Sequence, residues 1–385
     1  MRRALVLWHR WFGLAAALWL LVLALTGTII VFQDELDRAL NPDLRSVAIG
    51  GPMASAETLK RAAEAAEPGS ALDYLMLPVH PGDSALAFAA PRDAGVTGHV
   101  FRQTYLDPHD GRLLGRRVFG EMGLDRRRIV SFIYQLHIDL MLGATATWLA
   151  GLLALLWTFD HIAAAILAFP NLRRWRESLH IRWAARGHRR TFDLHRAIGL
   201  WLFPVTLVLA ISGLSLTWHE DFDAAVSVVS PTMKMPPETL PLLAKRDFVP
   251  ATSLDQAIAV ARARAGGAPV VAVSLHPDRG AYWLRLADAR DIGAGPGRWI
   301  LVRYSDGAVL ADRHVATGSA GDMFTAWLFP LHSGAAFGWP GRLLVAASGM
   351  ALCAVIITGL LIWSRKRRSA NWRALRVGRA AILGR

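Results

Sequence analysis

Four long apolar runs without a charged residue restrict the possible folds more than any other feature of the sequence. A helix needs about 20 residues to cross the hydrocarbon core of a bilayer, and each run is long enough. The second run can continue past Asp160 and His161 to Pro170. The chain is therefore predicted to cross a lipid bilayer four times, at Gly13–Phe32, Leu140–Phe159, Ala197–Trp218 and Leu343–Trp363.

The composition supports a membrane protein and argues against other classes. Hydrophobic residues make up 53% of the 385 residues, yet the formal net charge is +13. The basic residues flank the apolar runs instead of forming a separate domain, so nucleic acid is not the expected partner. The single cysteine, Cys353, excludes an internal disulfide, a cysteine-ligated iron–sulfur cluster and haem attached through Cys-x-x-Cys-His. Any redox chemistry must then use histidine.

The basic residues also predict the orientation. Arg2 and Arg3 precede the first run, the segment 173–190 between the second and third runs has seven arginines against Glu177, and the tail begins Arg365-Lys366-Arg367-Arg368. An excess of Lys and Arg marks the cytoplasmic side. We therefore expect a multi-pass protein of a bacterial inner membrane with both termini in the cytoplasm and the two long connections outside.

Each long connection has the pattern of a small α+β domain, with helical apolar spacing followed by short strand-like runs. The expected fold is a four-helix transmembrane bundle of two tandem repeats, each with an α+β outer domain. The predicted segments are 1–33 (first helix), 34–130 (first outer domain), 131–172 (second helix), 173–193 (basic cytoplasmic loop), 194–218 (third helix), 219–325 (second outer domain), 326–364 (fourth helix) and 365–385 (basic cytoplasmic tail).

The repeat appears at two nearly equal offsets. The segment Leu194-His195-Arg196-Ala197-Ile198-Gly199-Leu200 echoes Trp8-His9-Arg10-Trp11-Phe12-Gly13-Leu14 at an offset of 186 residues. Leu331-His332 with Gly338 echoes Leu136-His137 with Gly143 at an offset of 195. Both copies would cross the membrane in the same direction, which predicts a pseudo-twofold axis along the membrane normal.

The repeat places four histidines in two equivalent pairs. His9 and His195 belong to the inner ends of the first and third spans, and His137 and His332 to the outer ends of the second and fourth. A histidine in a span is costly unless it faces the bundle interior and finds a partner. One pair near each membrane face predicts two b-type haems, each with its iron held by two histidines. Glycines on the histidine faces would let a macrocycle approach the helices: Gly13, Gly27, Gly199 and Gly213.

Other interpretations of the histidines stay open. A histidine at a membrane edge is often only an interfacial residue, and glycine in a span usually serves helix contact. His161 could replace a ligand at the inner face, and His219 could compete with His332 at the outer face, but neither has a counterpart in the other copy. Zinc is disfavoured because each equivalent pair lacks short ligand spacing and cysteine.

Several motifs together resemble the PepSY-associated transmembrane family over essentially the whole chain. They are Trp8-His9-Arg10-Trp11-x-Gly13, Asp193-Leu194-His195-Arg196-Ala197-x-Gly199-Leu200, Leu331-His332-Ser333-Gly334 and Thr358-Gly359-Leu360-Leu361-Ile362-Trp363. The outer domains resemble its PepSY modules. Members include inner-membrane ferric-siderophore reductases that carry two b-type haems. The resemblance implies that His9, His195, His137 and His332 match the family's histidine positions.

The functional hypothesis is transmembrane electron transfer from a quinol or a separate cytosolic reductase to a ferric siderophore outside. No catalytic residue is expected beyond the haem ligands. Two other classes compete. A siderophore permease would use helices broken near Pro204 or Pro340, and would accumulate ligand in vesicles without a reductant. An anchored PepSY binding or inhibitory protein would need neither paired histidines nor haem.

Overall fold

Four helices of the chain are long and apolar enough to cross a membrane, as the sequence predicts. The computed structural model describes residues 1–91, 101–169, 171–233, 240–243, 250–293 and 297–383. Within them, the apolar helices are α1 (Arg2–Ile30), α6 (Ala144–Ala168), α8 (His188–Thr217) and α12 (Gly338–Leu383). Helix α8 continues through Pro204, and Pro340 lies in the first turn of α12, where proline needs no helical hydrogen bond.

The four helices form a bundle in which α1 and α8 lie on one diagonal. Helix α1 packs against α6 and α12, and α8 packs against the same two helices. In the described part of the chain, α1 and α8 make no extended contact with each other. Side chains of α1 and α8 can therefore project into the interior of the bundle between these two helices.

The second and fourth spans differ from the continuous helices expected over 131–172 and 326–364. Each is preceded by a separate helix, α5 (Ile129–Asp139) or α11 (Ala320–Ser333). Leu140 and Met141 adopt positive φ angles of 53° and 61° after α5, and Gly334 adopts 75° after α11. A left-handed residue at this position ends a helix. The distance from His137 to His161 consequently cannot be obtained from a continuous helical rise.

The remaining elements lie in the long connections and between the second and third spans. The shorter helices are α2 (Gln33–Leu40), α3 (Pro42–Arg45), α4 (Ala56–Ala66), α7 (Trp175–Ser178), α9 (His219–Ser227) and α10 (Leu254–Arg264). The strands are β1 (Ser70–Met76), β2 (Ala85–Pro91), β3 (Phe101–Leu106), β4 (Leu113–Phe119), β5 (Val270–His276), β6 (Ala281–Leu286), β7 (Arg298–Arg303) and β8 (Val309–Arg313).

The two long connections share one sheet, although the sequence predicts a separate domain in each of them. The strand order is β4-β3-β2-β1-β5-β6-β7-β8, and all neighbours are antiparallel. At the centre, Tyr74 pairs with Ser274 and Leu75 with Val273. Each connection alone would leave the backbone groups of β1 or β5 unpaired at an edge. Joining the two edges satisfies them and makes one α+β unit.

Helices α4 and α10 pack side by side on one face of this sheet. The side chains buried between the two helices and the sheet come from both connections, so the connections share one hydrophobic core. Completely buried examples are Leu59, Leu75, Leu254 and Val273. The two helices also cap each other. The Ala56 N–H donates to Asp255 Oδ1 at 2.7 Å, and the Leu254 N–H donates to Glu57 Oε2 at 3.4 Å. Carboxylates stabilise helix N-termini in this way.

Two arginine–carboxylate pairs tie the bundle and the sheet to α2. Arg117 on β4 binds Asp37 through two hydrogen bonds of 2.5 and 2.8 Å, and both side chains are buried. Arg342 on α12 binds both oxygens of Glu35 at 2.6 Å and the Val31 carbonyl at 2.7 Å. The hydrogen bonds from Arg342 hold the pKa of Glu35 below its usual value. These bidentate pairs fix the position of the sheet above the bundle.

Candidate histidine sites in the helical bundle

The first two predicted site residues, His9 and His195, meet across the diagonal of the bundle. His9 projects from α1 and His195 from α8, and their ring centres are 6.1 Å apart with an angle of 57° between the planes. Both oxygens of Asp160 on α6 contact His9 Nδ1, at 3.0 and 2.9 Å. His195 Nδ1 donates to the Val355 carbonyl on α12 at 2.9 Å. All four long helices therefore contribute to this layer.

The other two predicted site residues, His137 and His332, meet at the sheet end of the bundle. They project from α5 and α11, and their ring centres are 6.3 Å apart with an angle of 66° between the planes. His137 Nδ1 lies 3.0 Å from Thr26 Oγ1 on α1, and His332 Nδ1 lies 2.8 Å from Ser212 Oγ on α8. Because of the left-handed turns after α5 and α11, these two helices do not continue as α6 and α12.

The hydrogen bonds of the four rings select one tautomer. The Val355 carbonyl and the Asp160 carboxylate can only accept, so Nδ1 of His195 and of His9 carries the proton. Thr26 Oγ1 donates its proton to the Val22 carbonyl at 2.7 Å, and must accept from His137.

Ser212 Oγ likewise donates to the Val208 carbonyl at 2.6 Å and accepts from His332. A neutral ring protonated at Nδ1 keeps its lone pair on Nε2. All four rings thus have the form that binds a metal through Nε2 while Nδ1–H is held by the protein.

The ring separations test which metal group the residues fit. Two imidazoles on opposite sides of one metal ion, with each nitrogen about 2 Å away, have ring centres about 6.3 Å apart, whereas a tetrahedral zinc angle brings them to about 5.1 Å. The observed 6.1 and 6.3 Å fit opposite ligands. No group of three or more His, Cys, Asp or Glu able to hold a metal occurs among the described residues. Two ligands per layer fit a porphyrin iron, whose other four ligands are its own nitrogens.

The two layers are well separated along the bundle. Thr26, which holds His137, follows His9 by seventeen residues on α1, and Ser212, which holds His332, follows His195 by seventeen on α8. Seventeen residues of α-helix rise about 26 Å. The separation is close to the thickness of a bilayer core.

The predicted glycines divide into two kinds. A Cβ atom added to Gly27 would lie 3.0 Å from His137 Cε1, and one added to Gly213 would lie 3.9 Å from His332 Cε1. No described atom lies within 4 Å of a Cβ added to Gly13 or Gly199. The first kind gives a histidine ring room beside the helix, and the second kind borders open space. Gly359, which the sequence analysis did not single out, lies equally close to His195, at 3.0 Å from Cε1.

The second-rank histidines do not join either pair. His161 is buried, its Nδ1 donates to the Trp157 carbonyl at 2.7 Å, and its Nε2 lies 3.0 Å from Thr206 Oγ1. Both ring nitrogens are therefore engaged by the protein. The His219 side chain is 67% exposed, and its Nε2 lies 3.6 Å from Asp223 Oδ2.

Three side chains that hold the histidines are not predicted as site residues from the sequence. Thr26 and Ser212 are separated by 186 residues, the same offset as His9 and His195, so a search of the repeat for equivalent hydroxyl residues would have found them. Asp160 lies in an apolar helix, where a carboxylate is a functional signal by itself. Its equivalent at the 195-residue offset is Val355, so a comparison of the two repeats for identical residues does not find Asp160.

This arrangement defines a membrane protein whose helical bundle carries paired interior histidines beneath an α+β unit. The sequence profile of the PepSY-associated TM region matches residues 6–366, and the chain therefore belongs to the PepSY-associated transmembrane family. No curated protein matches the chain significantly.

Proposed function

We propose that the protein transfers electrons across a bacterial inner membrane through two b-type haems and reduces a ferric siderophore outside, releasing Fe(II). One observation carries the proposal. The ring centres of the two histidine pairs are 6.1 and 6.3 Å apart, and every ring is hydrogen-bonded through Nδ1, so that its Nε2 would be available to an iron ion. His9 and His195 would hold one haem, and His137 and His332 the other.

The proposed orientation follows from the charges at the two ends of the bundle. The start of α1, the end of α12 and the connection between α6 and α8 lie at the same end of the bundle, because the described chain crosses it four times. This end carries the clustered arginines of 173–190 and of 365–368. The positive-inside rule puts such clusters in the cytoplasm. The two halves of the chain are then tandem repeats that cross in the same direction, with the joined sheet in the periplasm.

A b-type haem supplies a reversible one-electron Fe(III)/Fe(II) couple. With two histidines of the protein as ligands of its iron, each haem would favour electron transfer over oxygen binding. The donor would be a quinol or a cytosolic reductase at the His9–His195 end. Each Fe(III) chelate would take up one electron at the His137–His332 end, and the lower charge of Fe(II) would weaken its bonds to the hard oxygen ligands of a siderophore.

The decisive measurement is the spectrum of the purified protein reduced with dithionite minus that of the oxidised protein, with the haem counted per chain. We expect paired-histidine bands and two haems per chain. His9→Ala or His195→Ala should leave one haem, and so should His137→Ala or His332→Ala. His219→Ala is the control, because that side chain is 67% exposed, and it should keep both haems.

Two results would refute the proposal. One is purified protein without paired-histidine bands. The other is a variant with all four histidines replaced that keeps those bands. If haem is present but ferric chelates are not reduced by the dithionite-reduced protein, the electron-transfer part stands and the siderophore substrate is rejected.

A further inference from the structure

Asp160 is the only acidic residue within the apolar helix α6, and its side chain is almost completely buried. A carboxylate in the interior of a membrane protein is costly unless a partner compensates for its lost hydration. Its two oxygens lie 3.0 and 2.9 Å from His9 Nδ1. No other described hydrogen bond involves the Asp160 side chain, so the interaction with His9 accounts for its position.

The other three paired histidines are held by neutral acceptors. His195 donates to the Val355 carbonyl at 2.9 Å, with Thr358 Oγ1 at 3.3 Å, and Val355 occupies the position equivalent to Asp160 at the 195-residue offset. The hydroxyls of Thr26 and Ser212 hold the His137–His332 pair. The two layers thus have the same ligand type and different groups behind the ligands.

A carboxylate acceptor changes the ligand more than a carbonyl or hydroxyl does. It attracts the Nδ1 proton, makes the imidazole a stronger electron donor, and adds a negative charge close to the metal. Both effects stabilise the oxidised iron, which carries the higher charge. Hydrogen bonding behind an axial ligand is one of the means by which a protein sets the potential of a haem.

We propose that Asp160 is a positioning residue that acts through His9 and lowers the reduction potential of the His9–His195 haem below that of the His137–His332 haem. This inference rests on the proposed haem ligation. An electron that enters at the His9–His195 layer then moves to a layer of higher potential. The same asymmetry opposes return of the electron towards the cytoplasm.

The test is a potentiometric titration of the full-length protein with both haems bound, comparing Asp160→Asn, Asp160→Glu and Ser212→Ala with wild type. Asp160→Asn keeps the size and an accepting oxygen but removes the charge. We expect the lower of the two potentials to rise by at least the equivalent of a tenfold change in the equilibrium constant, about 59 mV for one electron. Asp160→Glu, which keeps the charge, should stay close to wild type, and the other potential should not change.

Ser212→Ala is the matched control because it removes a neutral acceptor in the other layer. Ser212→Ala should not change the potential that responds to Asp160→Asn. The inference is overturned if both potentials are unchanged in Asp160→Asn, or if both rise together. Loss of one haem from Asp160→Asn also overturns it, because Asp160 would then be needed for binding. Absence of haem from the wild-type protein would instead defeat the proposed function.

Discussion

The N-terminal half (residues 1–187) and the C-terminal half (residues 188–385) place the same main elements in the same order, yet their polar contacts differ. At the His137–His332 layer, a hydroxyl at an equivalent position holds each ring. At the His9–His195 layer, a carboxylate serves one ring and a carbonyl the other. Equivalent backbones can therefore carry different charged groups.

The largest expected difference between the halves concerns Asp37 and its equivalent Asp223. Asp37 forms a buried bidentate pair with Arg117, whereas the described partner of Asp223 is His219 at 3.6 Å. Breaking a buried pair leaves one charge uncompensated, so Asp37→Ala should lower the free energy of unfolding by about 3–5 kcal/mol. Asp223→Ala should cost about 1 kcal/mol or less.

Denaturant unfolding of the detergent-solubilised protein measures both values. The double variant Asp37→Leu/Arg117→Met is the control, since it removes both charges and should recover much of the loss. Equal losses for Asp37→Ala and Asp223→Ala would show that the Arg117 pair does not distinguish the halves.

A smaller difference is expected between Gly27 and Gly213. A Cβ at Gly27 meets the His137 ring at 3.0 Å and forces it to move, at a cost of about 2 kcal/mol. A Cβ at Gly213 makes an ordinary contact at 3.9 Å, and alanine gains up to about 1 kcal/mol over glycine within a helix. Thermal unfolding should therefore rank Gly27→Ala below wild type and Gly213→Ala at or above it. The reverse order would contradict the close contact at Gly27.

The smallest difference is expected between Thr26→Val and Ser212→Ala. Each change removes the acceptor of a histidine Nδ1–H and should cost about 1–2 kcal/mol for a buried donor without a partner. Because both hydroxyls donate to a carbonyl four residues earlier and accept from a histidine, the two losses should agree within about 0.5 kcal/mol. Denaturant unfolding measures both losses. A markedly larger loss at one position would mean that the acceptors of His137 and His332 are not equivalent, as in the His9–His195 layer.

The sequence was sufficient for features that depend on local pattern. Charge-free length predicted the four apolar helices, and helical and alternating spacing predicted a helix followed by strands in each long connection. The repeat grouped His9 with His195 and His137 with His332, and the structure brings the members of each group together.

Other features depend on contacts that local pattern does not encode. The pairing of Leu75 with Val273 joins residues about 200 positions apart, and nothing in either strand marks its partner. The break after α5 occurs where apolar residues continue, since Leu140 and Met141 are not residues that normally end a helix. Asp160 was missed because it differs between the halves.

The central β1–β5 ladder has a mechanical consequence. It joins the two long connections into one sheet, and this sheet links the two halves of the helical bundle. If one half of the chain rotated away from the other, these backbone hydrogen bonds would break and the common hydrophobic core would open. A chain braced in this way is suited to holding two fixed sites at a constant spacing, and poorly suited to opening alternately on its two sides.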